Sequence, residues 1–223
     1  MVNDVIDAPG ATHAQQRAER SVARLYAPQP AREAFDALLS LDDVLAGILR
    51  TTREPMLGQM RLTWWHDALT KLDAAPPAAH PVLQALARHV VPAVSGARLA
   101  RMIEGWEELL GEPPLGSEAI RGYATARGAA LFEAAGAILG AAPNDPLAAA
   151  GQAWALADLA AHTADPLLAG QARALAASVA PPRHVRWSRN ARALGALMHF
   201  ARLHDAGAAH RVMRALMHRV TGF

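Results

Sequence analysis

The sequence predicts an all-α protein, on three observations. Alanine, the strongest intrinsic helix former, makes up about a quarter of the 223 residues. Aromatic residues are only 5 % and β-branched residues are scarce, which argues against a large sheet. Apolar residues recur at three- and four-residue spacing along most of the chain, with no alternating run bounded by hairpin turns. Hydrophobic residues are 52 % of the total, enough for a substantial core. The length fits one domain, read as residues 1–223 in eight to ten helices, with 1–12 expected to be flexible.

The elements follow in order. Residues 14–25 form a polar, basic helix that ends before "YAPQP". Pro30 suits the first turn of a helix to about Arg50, whose apolar stripe includes Phe35, Leu38, Leu39, Leu45, Ile48 and Leu49. Pro55 likewise opens a helix to Leu72, with Glu54 beside its positive end. Beyond the proline-rich "DAAPPAAHP", helices are expected over 80–94 and 97–110. "GEPPLGS" breaks the chain again, and Ser117 is placed to cap a long helix to Leu139. Further helices are expected over 146–163, 166–178, 188–206 and 208–220, with "APPRHVRW" as a loop. The proline loops are short enough to be helix–helix connections.

Composition removes several functions. The absence of cysteine excludes disulfides, thiolate–zinc sites and cysteine nucleophiles. The sequence contains no GxGxxG, Walker loop or GxSxG, and its ten histidines include no pair at helical zinc-ligand spacing. Net charge is +2, and no basic run interleaves with aromatics, so no nucleic-acid partner is expected. No leader with a basic region and an apolar core is visible, and no long uncharged apolar stretch occurs. A cytoplasmic protein is the expectation.

Four patterns carry candidate chemistry. In "LGQMRLTWWHDAL", Arg61 is three residues before Trp64 and four before Trp65, so the three can share one helix face. Either the tryptophans pack against neighbouring helices while Arg61 stacks on them or pairs with an acid, or the group contacts a ligand. In "FDALLSLDDVLAG" and "LADLAAHTAD", Asp36 and Asp43, and Asp158 and Asp165, are each seven residues apart. Inward carboxylates on facing helices can hold magnesium and thereby a diphosphate. One carboxylate per two turns is sparse, and solvated or helix-end aspartates are the competing explanation. Small residues Ala126, Ala130, Ala134 and Ala137 allow close helix packing or room for a long ligand. The terminal "AHRVMRALMHRVTGF" is basic and amphipathic. Its apolar side is expected to pack on the domain, the alternative being an anionic membrane surface.

Taken in order, "LYAPQPAREAFDALLSLDDVLAGIL", "REPMLGQMRLTWWHDAL", "HPVLQAL", "YATARGAALFEAAGAILG", "AGQAWALADLAAHTAD" and the "HRVTGF" tail resemble the squalene/phytoene synthase family across nearly the whole chain. The tryptophan segment looks most like the branch that includes bacterial members of unassigned function and the mitochondrial complex I assembly factor related to phytoene synthases. The resemblance implies an all-α isoprenoid-synthase fold with a central apolar cavity. It also implies two aspartate-rich motifs that bind magnesium for head-to-head condensation of prenyl diphosphates.

Those motifs are eroded here. The first retains Asp42 and Asp43, but Ala46 and Gly47 stand where a further acid is expected. The second retains Asp158, followed by His162 and Asp165, and lacks the family's arginine–aspartate pair. Asp42, Asp43, Asp158 and Asp165 are therefore weak metal candidates, and Arg61, Trp64, Trp65 and Tyr123 are the candidate ligand contacts. The expectation is a protein with a degenerate metal site and no cofactor. It would bind an isoprenoid or other apolar ligand, or serve as an assembly or scaffold factor. A divergent magnesium-dependent prenyltransferase is one alternative; a module that binds a partner, or a membrane surface at its inner face, is the other.

Overall fold

The computed structural model describes residues 10–52, 54–204 and 206–223. Its helices are α1 (Gly10–Tyr26), α2 (Arg32–Thr51), α3 (Pro55–Lys71), α4 (Pro81–His89), α5 (Gly96–Glu107), α6 (Ser117–Tyr123), α7 (Ala130–Leu139), α8 (Leu147–His162), α9 (Pro166–Val179), α10 (Arg192–Arg202) and α11 (Ala208–Thr221). Among the described residues there is no strand, and no helix is long and apolar enough to cross a membrane. Of the stretch 1–12 expected to be flexible, residues 1–9 lie outside the described residues, and 10–12 already belong to α1.

Element boundaries differ from expectation where proline or a tight turn intervenes. Pro30 sits in a separate 3-10 turn, Gln29–Ala31, and α2 starts only at Arg32. The helix expected to reach 94 stops at His89, since Pro92 has no N–H to donate and disfavours helical backbone at Val91. Gly116, not Ser117, holds the N-cap position of α6.

The helix expected to run unbroken over 117–139 has a π-helical middle, Ala124–Ala129, continuous with α6 and α7. Gly140, at φ 71°, closes it in the left-handed conformation that favours glycine. The π segment packs between α5 and α8. A Cβ on Gly128 would strike the carbonyl of Gly151, and one on Gly151 would strike that of Gly128. The two backbones therefore touch, which only a pair without side chains permits. Close packing is thus what this small-residue stretch does, and α8 lies at the centre of the resulting core against the π segment, α7, α9 and α10.

The two adjacent tryptophans meet edge to face at 5.4 Å but differ in burial. Trp65 is buried and meets His80 edge to face at 4.9 Å. Trp64 is 49 % exposed and shares an open face of α3 with Met56, Leu57 and Met60. Arg61 neither stacks on them nor pairs with an acid: its guanidinium donates to the Thr51 and Thr52 hydroxyls at 3.1 and 3.0 Å. Trp64→Ala is therefore expected to cost only about 1 kcal/mol, the loss of its edge-to-face contact with Trp65. Trp65→Ala should cost about 3 kcal/mol through the cavity it leaves. Urea midpoints of the two variants would separate these effects.

The last helix also departs from expectation. The packed side of α11 consists of Ala215 and His218, while Val212, Met213, Leu216, Met217 and Val220 are all about half exposed or more. Its apolar side therefore faces away from α10, the helix it packs on.

Candidate functional site

Asp42 stands on the buried stripe of α2 and Asp158 on α8, and the fold brings them to the same place from opposite sides. What joins them is Arg127, from the π segment. Its Nε and Nη2 donate to the two oxygens of Asp42 at 2.7 and 2.8 Å, a bidentate pair. Its Nη1 donates to Asp158 Oδ2 at 2.7 Å and also to the Tyr123 hydroxyl. The Asp42 side chain is fully buried, Arg127 is 1 % exposed, and Asp158 is 15 % exposed.

Aromatic rings hold the guanidinium on its faces. The Arg127 Cζ lies 4.3 Å from the Trp106 ring centre and 4.6 Å from that of Trp154. Tyr123 lies 5.4 Å away and meets Trp106 edge to face. Planar charge between two indoles is a favourable use of arginine, whose delocalised cation is weakly hydrated. Three of the five tryptophans thus divide into two that clamp Arg127 and one, Trp65, that fills the core elsewhere.

Helix α1 closes the outer side. Arg20 donates to Asp43 Oδ1 at 2.5 Å, to Asp42 Oδ2 at 3.3 Å and to the Leu39 carbonyl at 3.2 Å. Gln16 donates to Asp158 Oδ1 at 2.6 Å, and His162 Nδ1 lies 3.2 Å from the same oxygen. Every carboxylate oxygen of Asp42 and Asp158 has a nitrogen partner. The spaces beside the pair hold about 20 and 40 Å³, room for little more than a water molecule. A larger space of about 410 Å³ lies between α8, α9 and α10, walled by alanines and edged by Arg173, Arg183 and Arg202.

The electrostatics follow from this arrangement. Burial alone would raise the Asp158 carboxyl, but Arg127, with help from His162, outweighs it and holds the group well below the usual carboxylate range. Burial likewise opposes the charge on Arg127, and the carboxylates of Asp42 first and then Asp158 keep it firmly protonated. His162 is desolvated, yet Asp158 raises it above its ordinary value. The Tyr123 phenol is pushed up by burial and stays neutral.

The remaining candidates do not join this group. Asp165 caps α9, accepting from the Leu167 N–H at 2.8 Å. Asp36 pairs with Arg24 across α1 and α2. Arg61, Trp64 and Trp65 serve α3 and its neighbours, as described above. Of the candidate ligand contacts, only Tyr123 touches the cluster. Sequence reasoning missed Arg127, Arg20, Gln16, Trp106 and Trp154. Arg127 alone left a signal, as a lone cation among the small and apolar residues of "YATARGAALF".

Among the described residues the chain is all-α, with one aspartate from each of two helices at a shared buried point, and the family that its sequence matches has the all-α isoprenoid-synthase fold. The chain belongs to the squalene/phytoene synthase family, whose model matches residues 13–220. No curated protein matches it significantly, and no solved structure does.

The magnesium that this family membership implies does not fit the residues as they stand. A magnesium ion needs several oxygen ligands in octahedral array, some of them water. Here the point between the carboxylates carries a guanidinium, and the oxygens face nitrogen donors. Among the described residues no group of three acidic or histidine side chains is placed to hold a metal ion.

Proposed function

We propose that this member of the squalene/phytoene synthase family works without magnesium-dependent condensation of prenyl diphosphates. It acts as a ligand-binding or assembly protein, in the manner of the branch that includes the complex I assembly factor. One observation carries the proposal: Arg127 occupies the position between Asp42 and Asp158, as a permanent internal cation bonded to both. Two diphosphates bring several negative charges, and neutralising them takes more than one divalent ion. A pair already neutralised from within, in a space of some 20–40 Å³, has neither the charge nor the room.

Two further features favour binding over chemistry. The alanine-walled space beside α8 has the size of a small-molecule pocket, and its arginines suit a ligand with an apolar chain and an anionic end. The open face of α3 presents Met56, Met60 and Trp64, residue types that anchor protein partners.

The test is incubation of the pure protein with farnesyl or geranylgeranyl diphosphate, with and without magnesium. No diphosphate release is expected, and no magnesium-dependent rise in melting temperature. Magnesium-dependent product formation would overturn the proposal in favour of a divergent prenyltransferase.

A further inference from the structure

Charge is distributed unevenly along this chain. Residues 166–223 contain nine arginines and a single acidic residue, Asp205, so this quarter of the sequence carries +8 while the whole chain carries +2. The remainder is therefore net acidic. The charged side chains of residues 208–223 are exclusively basic or titratable to basic: His210, Arg211, Arg214, His218 and Arg219.

The same region exposes a row of large apolar side chains. On α11, Val212, Met213, Leu216, Met217 and Val220 are 48–70 % exposed, and Phe223 beyond its end is 41 % exposed. At 100° per residue these fall on one side of the helix, opposite Ala215 and His218, which dock it. Exposed Arg219 and His210 border the stripe on its two edges. At the helix end, Arg192 donates to the Arg219 and Val220 carbonyls and Arg186 to that of Thr221. These contacts hold two more cations beside the stripe. Arg211 is neutralised locally by Glu19 at 3.4 Å.

The helix is firmly seated while its apolar side is not. His218 is fully buried against Gly195, Trp187 and His199, where a Cβ on Gly195 would collide with the imidazole. A seated helix with an outward row of large apolar side chains between cations is the pattern of a helix lying in a lipid interface. The apolar row distinguishes lipid from a purely polyanionic partner such as nucleic acid, which would be met by cations and aromatics.

We infer that α11 is a membrane-docking surface for an anionic bilayer. Val212, Met213, Leu216, Met217 and Val220 enter the acyl boundary, and Arg186, Arg192 and Arg219 meet the lipid phosphates. The inference is independent of what the Asp42–Arg127–Asp158 cluster does.

The experiment is co-sedimentation of the full chain with vesicles of equal parts phosphatidylglycerol and phosphatidylcholine, and with phosphatidylcholine alone. Strong binding to the first, weakened by salt and much reduced on the second, is expected. The variant Met213→Gln/Leu216→Gln/Met217→Gln should lose at least about tenfold in vesicle affinity. Its melting temperature should stay unchanged, because these side chains are already exposed. Met56→Gln/Met60→Gln on α3 should bind as the parent does, which separates a specific surface from general stickiness. Three results would each overturn the inference. They are no binding to anionic vesicles, equal binding by the α11 variant, and a parent dimer in sedimentation velocity that the α11 variant abolishes without any vesicle binding.

Discussion

Asp42→Asn is expected to cost about 3–5 kcal/mol of folding stability, the range found when one partner of a buried ion pair is removed. The reason lies in what is left behind. Arg127 is inaccessible to water, and two of its donors face Asp42 alone. An amide in that position offers one acceptor oxygen and one opposing N–H₂, so the guanidinium keeps its charge and loses half its counter-charge. Asp158→Asn should cost less, since that side chain is partly exposed and meets Arg127 through one bond. Replacing the whole cluster, as Asp42→Leu/Arg127→Met/Asp158→Leu, should recover most of the loss, because no uncompensated charge then remains buried. Urea unfolding of the three variants checks the order. Equal, small effects at Asp42 and Asp158 would mean that Arg127 can reach water or another partner.

In an active prenyltransferase, removing a metal-binding aspartate abolishes turnover and leaves the fold intact. Here the fold is expected to fail first. A loss of activity on mutating Asp42 must therefore be read beside a melting curve.

Acidification is expected to unfold the C-terminal helices before the rest of the molecule needs to titrate. Burial, reinforced by neighbouring His218, Arg214 and Arg202, pushes His199 down to about 3 from its ordinary 6.5. Burial, with Arg192 and Arg214, takes His218 down to about 4, against a raising hydrogen bond to the Phe223 carbonyl. The two rings lie 4.7 Å apart between α10 and α11. Both folded values are depressed below the unfolded one. Their contribution is therefore present above pH 6.5 and is lost as pH falls from there toward 4 and then 3.

His162 works in the opposite sense. Its folded value is raised, so its contribution is present below pH 6.5 and is lost as pH rises through that raised value. Near pH 5 the unfolded chain therefore binds two more protons than the folded one at these three sites. Stability then falls by up to about 2.7 kcal/mol per pH unit, or about 5 kcal/mol over two units. His199→Leu should roughly halve that slope. A flat profile between pH 6.5 and 4.5 would show that the pair is solvated in solution.

The order and number of elements were legible because helix formation here is a local matter. Alanine content, the stripe Phe35–Leu49, Pro55 at a first turn and the proline loops each act within a few residues, and the helices lie where these signals put them. Boundaries slipped at Pro30, expected in the first turn of α2 but found in a separate 3-10 turn, and at Pro92, which the helix expected over 80–94 runs through although its ring ends the helix early. Family membership was legible for the same reason, since segment order survives even when individual side chains change.

The site was only half legible. Asp42 and Asp158 could be picked out as candidate charges on two helices, but not the residue between them. Arg127 lies 85 residues from one partner and 31 from the other, and it reaches them because a π turn and the Gly128–Gly151 contact aim it inward. Nothing in local sequence encodes that meeting. The two tryptophans of "TWWHD" show the same limit: adjacent in sequence, they point 100° apart on α3, and only the packing of the neighbouring helices decides that Trp65 is core and Trp64 is surface. The sequence by itself determined which segments are helical and to which family they belong, because those follow from short-range spacing and segment order. Only the tertiary structure decided that the two aspartates close on an arginine, and that α11 turns its apolar side outward, because both depend on which helix faces arrive at the same point in space.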